Sequence, residues 1–312
     1  MAHQSSTPQD ITGLTRREFV HGSLTACAAL ALGLPPVAQG ADVPPGTITV
    51  TKGHRVTLHT YTAPEVGWLV NSHIIELPKQ LLIVDAQYLL PCGRELARYA
   101  KSLKKPITRV YITHYHPDHH LGAGALDAPL FALPDVKDKI DSIGERLAGE
   151  ERAKFPDGSG MITDHARRID SVAMLGTEVV DGVPLDLRPI NHAETETALA
   201  ISISSERMMI TQDLLYNHVH LFLGERRFSG WRQALVEYRA LPFDKVFPGH
   251  GLPGDPGLYE ENIAYLNFAE AQLSLSSDGD DFKSRLMRQY PTYGGFALLD
   301  HEKRFLFKPA SS

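Results

Sequence analysis

Apolar positions along the chain fall in two batches of short runs, each followed by longer segments with helical period. Thr47–Thr51 and Arg55–Tyr61 are rich in β-branched residues and split by a Lys52-Gly53 turn, which predicts a strand pair. Val66–Glu76 and Gln80–Val84 follow as strands, with Pro78-Lys79 between them. Leu81-Leu82-Ile83-Val84 has no polar interruption, as expected of a strand buried on both faces. Arg94–Leu103 places Leu96, Tyr99 and Leu103 on one helical face. Arg109–Ile112 and Leu130–Leu133 predict short strands, and residues 134–152 an amphipathic helix. The second batch is Leu185–Ile190, Ala198–Ser204 and Met208–Thr211. A helix over Trp231–Leu241, a strand over Lys245–Phe247 and helices over Pro256–Leu273 and Asp281–Gln289 complete the pattern. Lys154 to Met174 is polar and reads as an insertion placed beside the active site. Two strand batches with intervening helices predict an α/β protein of two packed sheets with helices outside. That order alone leaves several α/β folds open.

Composition changes this picture little. The 312 residues are 43% hydrophobic and 22% charged, enough for one large core or two small ones. A net charge of −6 argues against a nucleic-acid partner, which needs a basic face. No apolar run in the body reaches the roughly 18 residues of a membrane span. The expected partner is a small-molecule substrate.

The N-terminus says more. Thr15-Arg16-Arg17-Glu18-Phe19-Val20 precedes a small-residue apolar run from Leu24 to Leu34, and Ala38-Gln39-Gly40 follows. Twin arginines before a short apolar region resemble a Tat-type signal peptide. Residues 1–40 are therefore expected to be removed on export to the periplasm or beyond, with 41–46 a Pro-rich linker. Leu24-Thr25-Ala26-Cys27 is a poor lipoprotein box, since much of the apolar run follows the cysteine. Removal of Cys27 would leave Cys92 alone, without an intramolecular disulfide.

The chemistry concentrates in Thr113-His114-Tyr115-His116-Pro117-Asp118-His119-His120-Leu121-Gly122. The segment follows a buried strand, so an extended chain points His114, His116 and Asp118 the same way. Pro117 holds the residue before it out of the helical region. Asp118 is expected to cap a helix whose first turn carries His119. Imidazoles with a carboxylate suit zinc, and also iron or manganese. Gly122 is expected at a close backbone approach.

The His-x-His-x-Asp-His pattern resembles the signature of the metallo-β-lactamase superfamily, and the resemblance extends over residues 47–275. Asn71 to Asp85 is similar to the family's opening strands. Asn191-His192-Ala193-Glu194-Thr195-Glu196-Thr197 is similar to the segment of its third histidine. Ile210-Thr211-Gln212-Asp213 resembles its bridging aspartate, and Val246-Phe247-Pro248-Gly249-His250-Gly251 its last histidine. The resemblance implies a four-layered αβ/βα sandwich with two zinc ions at the sheet edge. It implies His114, His116 and His192 on one metal, Asp118, His119 and His250 on the other, and Asp213 between them. Asp85 is implied as a hydrogen-bonding support and His120 as lying outside the ligand set. Residues 276–312 lie beyond the domain and are expected to pack on it.

The resemblance also implies chemistry. A hydroxide shared by the two zinc ions would attack an ester, lactone or amide of a small molecule, with Asp118 orienting it. Tyr216, three residues after Asp213, falls where lactonase members carry a hydrogen-bonding tyrosine. A β-lactamase-type lactam hydrolase and an iron-dependent, persulfide dioxygenase-like redox enzyme are the alternatives. Trp68, His218, His220, Phe222 and Trp231 are candidates for the pocket rim.

Overall fold

The computed structural model describes residues 43–156 and 158–307, so the twin-arginine segment and Cys27 lie outside the described residues. The first sheet opens with β1 (Thr47–Lys52), β2 (Thr57–Thr62), β3 (Asn71–Glu76) and β4 (Leu81–Val84), all antiparallel neighbours. Helix α1 (Leu90–Ser102) leads to β5 (Ile107–Tyr111), and the short α2 (Pro117–His120) to β6 (Leu130–Ala132). Helix α3 (Pro134–Arg152) returns to β7 (Ser171–Val172). These crossovers make β4 through β7 parallel and complete seven strands in sequence order.

The second sheet runs β12-β11-β10-β9-β8. Its strands are β8 (Gly176–Val180), β9 (Val183–Asn191), β10 (Thr197–Ile203), β11 (Met208–Tyr216) and, after α4 (Phe228–Arg239), β12 (Lys245–His250). Helices α5 (Gly257–Leu275), α6 (Gly279–Gln289) and α7 (Phe296–Leu306) follow. The two sheets meet along β3 and β12, where Asn71 Nδ2 donates to the Pro248 carbonyl at 2.8 Å and His73 packs on Phe247. The architecture is the expected mixed sandwich of two sheets with helices.

Several elements depart from the sequence expectation, among them β7, which lies in the stretch read as an insertion. The strand expected from Val66 starts only at Asn71, because Glu65–Gly67 forms a 3-10 turn and Trp68 and Leu69 adopt positive φ of 62° and 56°. β8 escaped the pattern because only Val180 of its five residues is buried. It joins β9 through Asp181-Gly182, both at positive φ, a hairpin turn whose twist suits antiparallel strands. Finally, α7 adds a helix beyond the one expected to close the regular structure. None of the described helices is long and apolar enough to cross a membrane.

Strand ends gather the site. β4 ends at Asp85, β5 runs into Thr113 and His114, and β11 and β12 end around Asp213 and His250. Asp85 N donates to the Tyr111 carbonyl at 2.8 Å, and Leu199 N to that of Thr113 at 3.0 Å, so the histidine-rich loop is tied to both sheets. A Cβ on Gly122 would lie 2.3 Å from the Ala86 carbonyl oxygen, which explains why only glycine fits there.

Candidate metal centre

Two triads of buried side chains lie side by side. His114, His116 and Glu194 offer ligand atoms within 4.8 Å of one another, and so do Asp118, His119 and His250. Asp213 touches both. Its Oδ1 is 3.2 Å from His119 Nε2, while its Oδ2 is 3.2 Å from His250 Nε2 and 3.9 Å from His114 Nε2. A bulge places Asp213 there. The β11–β12 register shifts on both sides of Gln212, which has φ 43°. Asp118 lies within the first turn of α2, whose N-cap is His116, so it is free to face the cluster rather than cap the helix.

His192 is not in the cluster. It opens the β9–β10 loop at φ 54°, its side chain is 67% exposed, and its Nδ1 pairs with Glu196 at 2.7 Å. The cause is local. Asn191 and Thr197 close the hairpin, and the left-handed turn at His192 aims that side chain outward. Glu194, two residues on, aims inward, with Oε2 at 3.4 Å from His114 Nε2 and 3.3 Å from His116 Nδ1. A carboxylate in the segment was the available signal, since oxygen donors serve the same cations as imidazole.

Every imidazole in the cluster is gripped from behind. Asp85 takes His119 Nδ1 at 2.7 Å and also receives Thr113 N, Thr113 Oγ1 and Gln212 Nε2. Thr113 Oγ1 lies 3.1 Å from His114 Nδ1. The Trp68 carbonyl takes His250 Nδ1 at 2.8 Å. Glu225 lies 3.2 Å from His116 Nε2 and is itself held by the Tyr115 hydroxyl and by Arg227. Such partners fix tautomer and ring orientation. Glu225 had no sequence signal, because its loop has no periodicity and no contiguous ligand.

The residues present fit divalent cations. His114 Nε2, His119 Nε2, His250 Nε2, Glu194 Oε2 and Asp213 Oδ1 are buried with no hydrogen-bond partner, and all point into the same space. Unpaired buried polar atoms are costly, and here five converge. Burial raises Glu194 to about 7, and Asp213 beside it adds to that, while His116 and His119 oppose it. Nearby positive charge would relieve the crowding of carboxylates.

Tyr216 stacks on His250 with ring centroids 4.5 Å apart, and its hydroxyl lies 2.7 Å from Asp213 Oδ2 and 2.9 Å from Glu194 Oε1. A cavity of about 250 Å³ opens over the cluster, with His116, Asp118, Glu194 and Tyr216 at its base. Of the expected rim residues, Trp68 and Phe222 line it, whereas His218, His220 and Trp231 do not. Trp231 is buried and donates to the Leu214 carbonyl, and His220 is buried against Tyr265. His120 is buried outside both triads, and the described residues of the 154–174 stretch contribute nothing to the lining.

A family model described as the metallo-beta-lactamase superfamily matches residues 66–250. The chain belongs to that superfamily. Among curated proteins, this superfamily member is 23% identical over 216 residues to a linear primary-alkylsulfatase from a Pseudomonas species. The match covers 58% of this chain and 41% of the relative, so the chain spans about two fifths of the relative's length. Among solved structures it resembles a metallo-beta-lactamase from Pontibacter korlensis, with TM-score 0.54 and 20% identity over 71% of this chain and 99% of the other. A metallo-beta-lactamase from Pseudomonas aeruginosa in its mono-zinc form gives TM-score 0.52 and 18% identity over 72% of this chain and 96% of that one. At these identities the likeness is one of fold. Membership supports a metal-dependent hydrolase.

Proposed function

We propose that this hydrolase holds two zinc ions and cleaves an ester bond of a small molecule. The reading rests on two donor triads that share Asp213 and open to one cavity. His114, His116 and Glu194 would hold one ion and Asp118, His119 and His250 the other, with Asp213 between. Bound there, two zinc ions would supply a water-derived nucleophile at neutral pH and polarise the scissile group. Asp118 lines the cavity and orients the attacking water by accepting its hydrogen bond. The Tyr216 hydroxyl hydrogen-bonds to Asp213 Oδ2 at 2.7 Å and Glu194 Oε1 at 2.9 Å, with the phenol buried beside them. Its position between Asp213 and Glu194 puts that hydroxyl at the cavity floor, where it can donate to a bound substrate.

Within the ester class, similarity to the alkylsulfatase favours a sulfate ester alongside carboxylic esters and lactones. The solved neighbours raise lactam hydrolysis, but they support the fold only. We also propose that the Thr15–Val20 segment directs export, a reading supported by the sequence pattern alone. The test is metal analysis of purified full chain, then turnover of aryl esters, acyl-homoserine lactones, alkyl sulfates and nitrocefin. Two zinc per chain with ester or sulfate turnover is expected. One iron per chain, or nitrocefin as the only substrate, would overturn the reading.

A further inference from the structure

The wall of the cavity opposite the cluster comes from two helices. Helix α3 contributes Ile143 and Leu147, one turn and about 6 Å apart along its axis. Helix α7, which lies outside residues 66–250, contributes Leu298 and Phe305. Phe222 joins this wall to the metal centre, edge-on to His116 at 5.1 Å and to Phe305 at 5.6 Å. Trp68 closes the side, stacked on Tyr88 at 4.3 Å. The result is an apolar slot that begins at a proposed ligand. Arg146, paired with Glu150, and Arg304, over the Phe305 ring, are exposed at its mouth. Two polar side chains stand in the wall itself, the buried Glu151, which accepts from the Tyr88 hydroxyl, and His301, packed against Trp68 and Phe222.

Helix α7 is a fixed wall. Glu65 accepts from Gly295 N at 3.0 Å and Phe296 N at 2.8 Å, which pins the helix start. The buried Glu302 accepts from Leu223 N at 2.7 Å, which ties the middle of α7 to the loop carrying Phe222 and Glu225. Arg226 donates to the Leu306 carbonyl at its end. Three separate attachments hold Leu298 and Phe305 opposite Ile143 and Leu147.

We propose that this slot is the subsite for an unbranched alkyl or acyl chain, and that α7 makes the enzyme selective for long-chain esters. The inference deepens the ester reading and rests on it for the position of the scissile bond. Each methylene entering an apolar slot contributes about 0.8 kcal/mol, or roughly a fourfold gain in kcat/KM.

The test uses zinc-loaded full chain and p-nitrophenyl esters from acetate to dodecanoate, kept below their aggregation concentrations. The expected kcat/KM rises about three- to fourfold per methylene until the slot is filled. Leu147→Arg and Phe305→Ala lower the decanoate-to-acetate ratio at least tenfold, while Val236→Arg, on the exposed face of α4, keeps the wild-type ratio. Decanoate binding is read separately from Trp68 fluorescence, against the constant background of buried Trp231. A flat chain-length profile, or wild-type ratios in both slot variants, overturns the proposal. Decanoate binding that Leu147→Arg abolishes, in a protein with no ester turnover, keeps the slot and sinks the ester reading instead.

Discussion

Replacing Glu194 and His192 in turn gives the sharpest test of the metal centre. Glu194 has one carboxylate oxygen within 3.4 Å of both His114 and His116 donor atoms, buried and unpaired. Loss of partners one step further from a metal typically costs 10–100-fold in affinity. A direct donor should cost at least the upper figure, about 2.8 kcal/mol. His192 makes one contact with Glu196, their side chains 67% and 57% exposed, and even a fully charged exposed pair contributes at most ~1 kcal/mol. Glu194→Ala should therefore bind one zinc at least 100-fold more weakly and lose turnover. His192→Ala should keep two zinc ions and near wild-type turnover. Competition with a chromophoric chelator, with atomic emission for stoichiometry, reads both. Loss of a zinc from His192→Ala with two retained in Glu194→Ala would refute the assignment.

Other expectations follow from the same geometry. Glu225→Gln should weaken zinc binding about 10–100-fold through His116 while leaving the folded state intact by circular dichroism. Gly249→Ala would place a Cβ 1.7 Å from Asp213 Oδ1, so it should displace that carboxylate and release metal, seen as sub-stoichiometric zinc. Burial holds His73 and His220 down at about 4, with nearby Lys283 adding to the effect on His220. The unfolded chain, titrating near 6.5, then binds the extra protons, so stability falls below about pH 6.5 and levels off below about 4. The cost is up to about 3 kcal/mol for each histidine. Urea unfolding of His220→Asn should show a shallower acid loss than wild type, and an unchanged slope would count against the assignment. Chelation should lower the thermal midpoint, since an ion present at about 1,000 times its Kd stabilises by about 4 kcal/mol. A midpoint unmoved by chelator would show that the donor set holds no ion.

The histidine-rich loop was legible because its donors are contiguous and follow a buried strand. Asp213 and His250 were legible through resemblance, each at a strand end. Glu194 was not, because the choice between it and His192 depends on a backbone φ set by closure of the β9–β10 hairpin. Glu225 and α7 were not legible for a different reason. Their roles depend on contacts across the fold, between Glu225 and His116, and between Glu302 and Leu223. The strands with uninterrupted apolar runs were found, while β8, with only Val180 buried, was missed.

The grip on the far nitrogen of each imidazole has a practical consequence. Asp85, Thr113, Trp68 and Glu225 hold the four rings through hydrogen bonds made within the protein. If those bonds fix the rings, stripping the protein of metal at mild pH should leave correctly shaped seats. Refilling those seats with cobalt would give each one a visible colour of its own, making the order of occupancy measurable by eye and spectrometer alike.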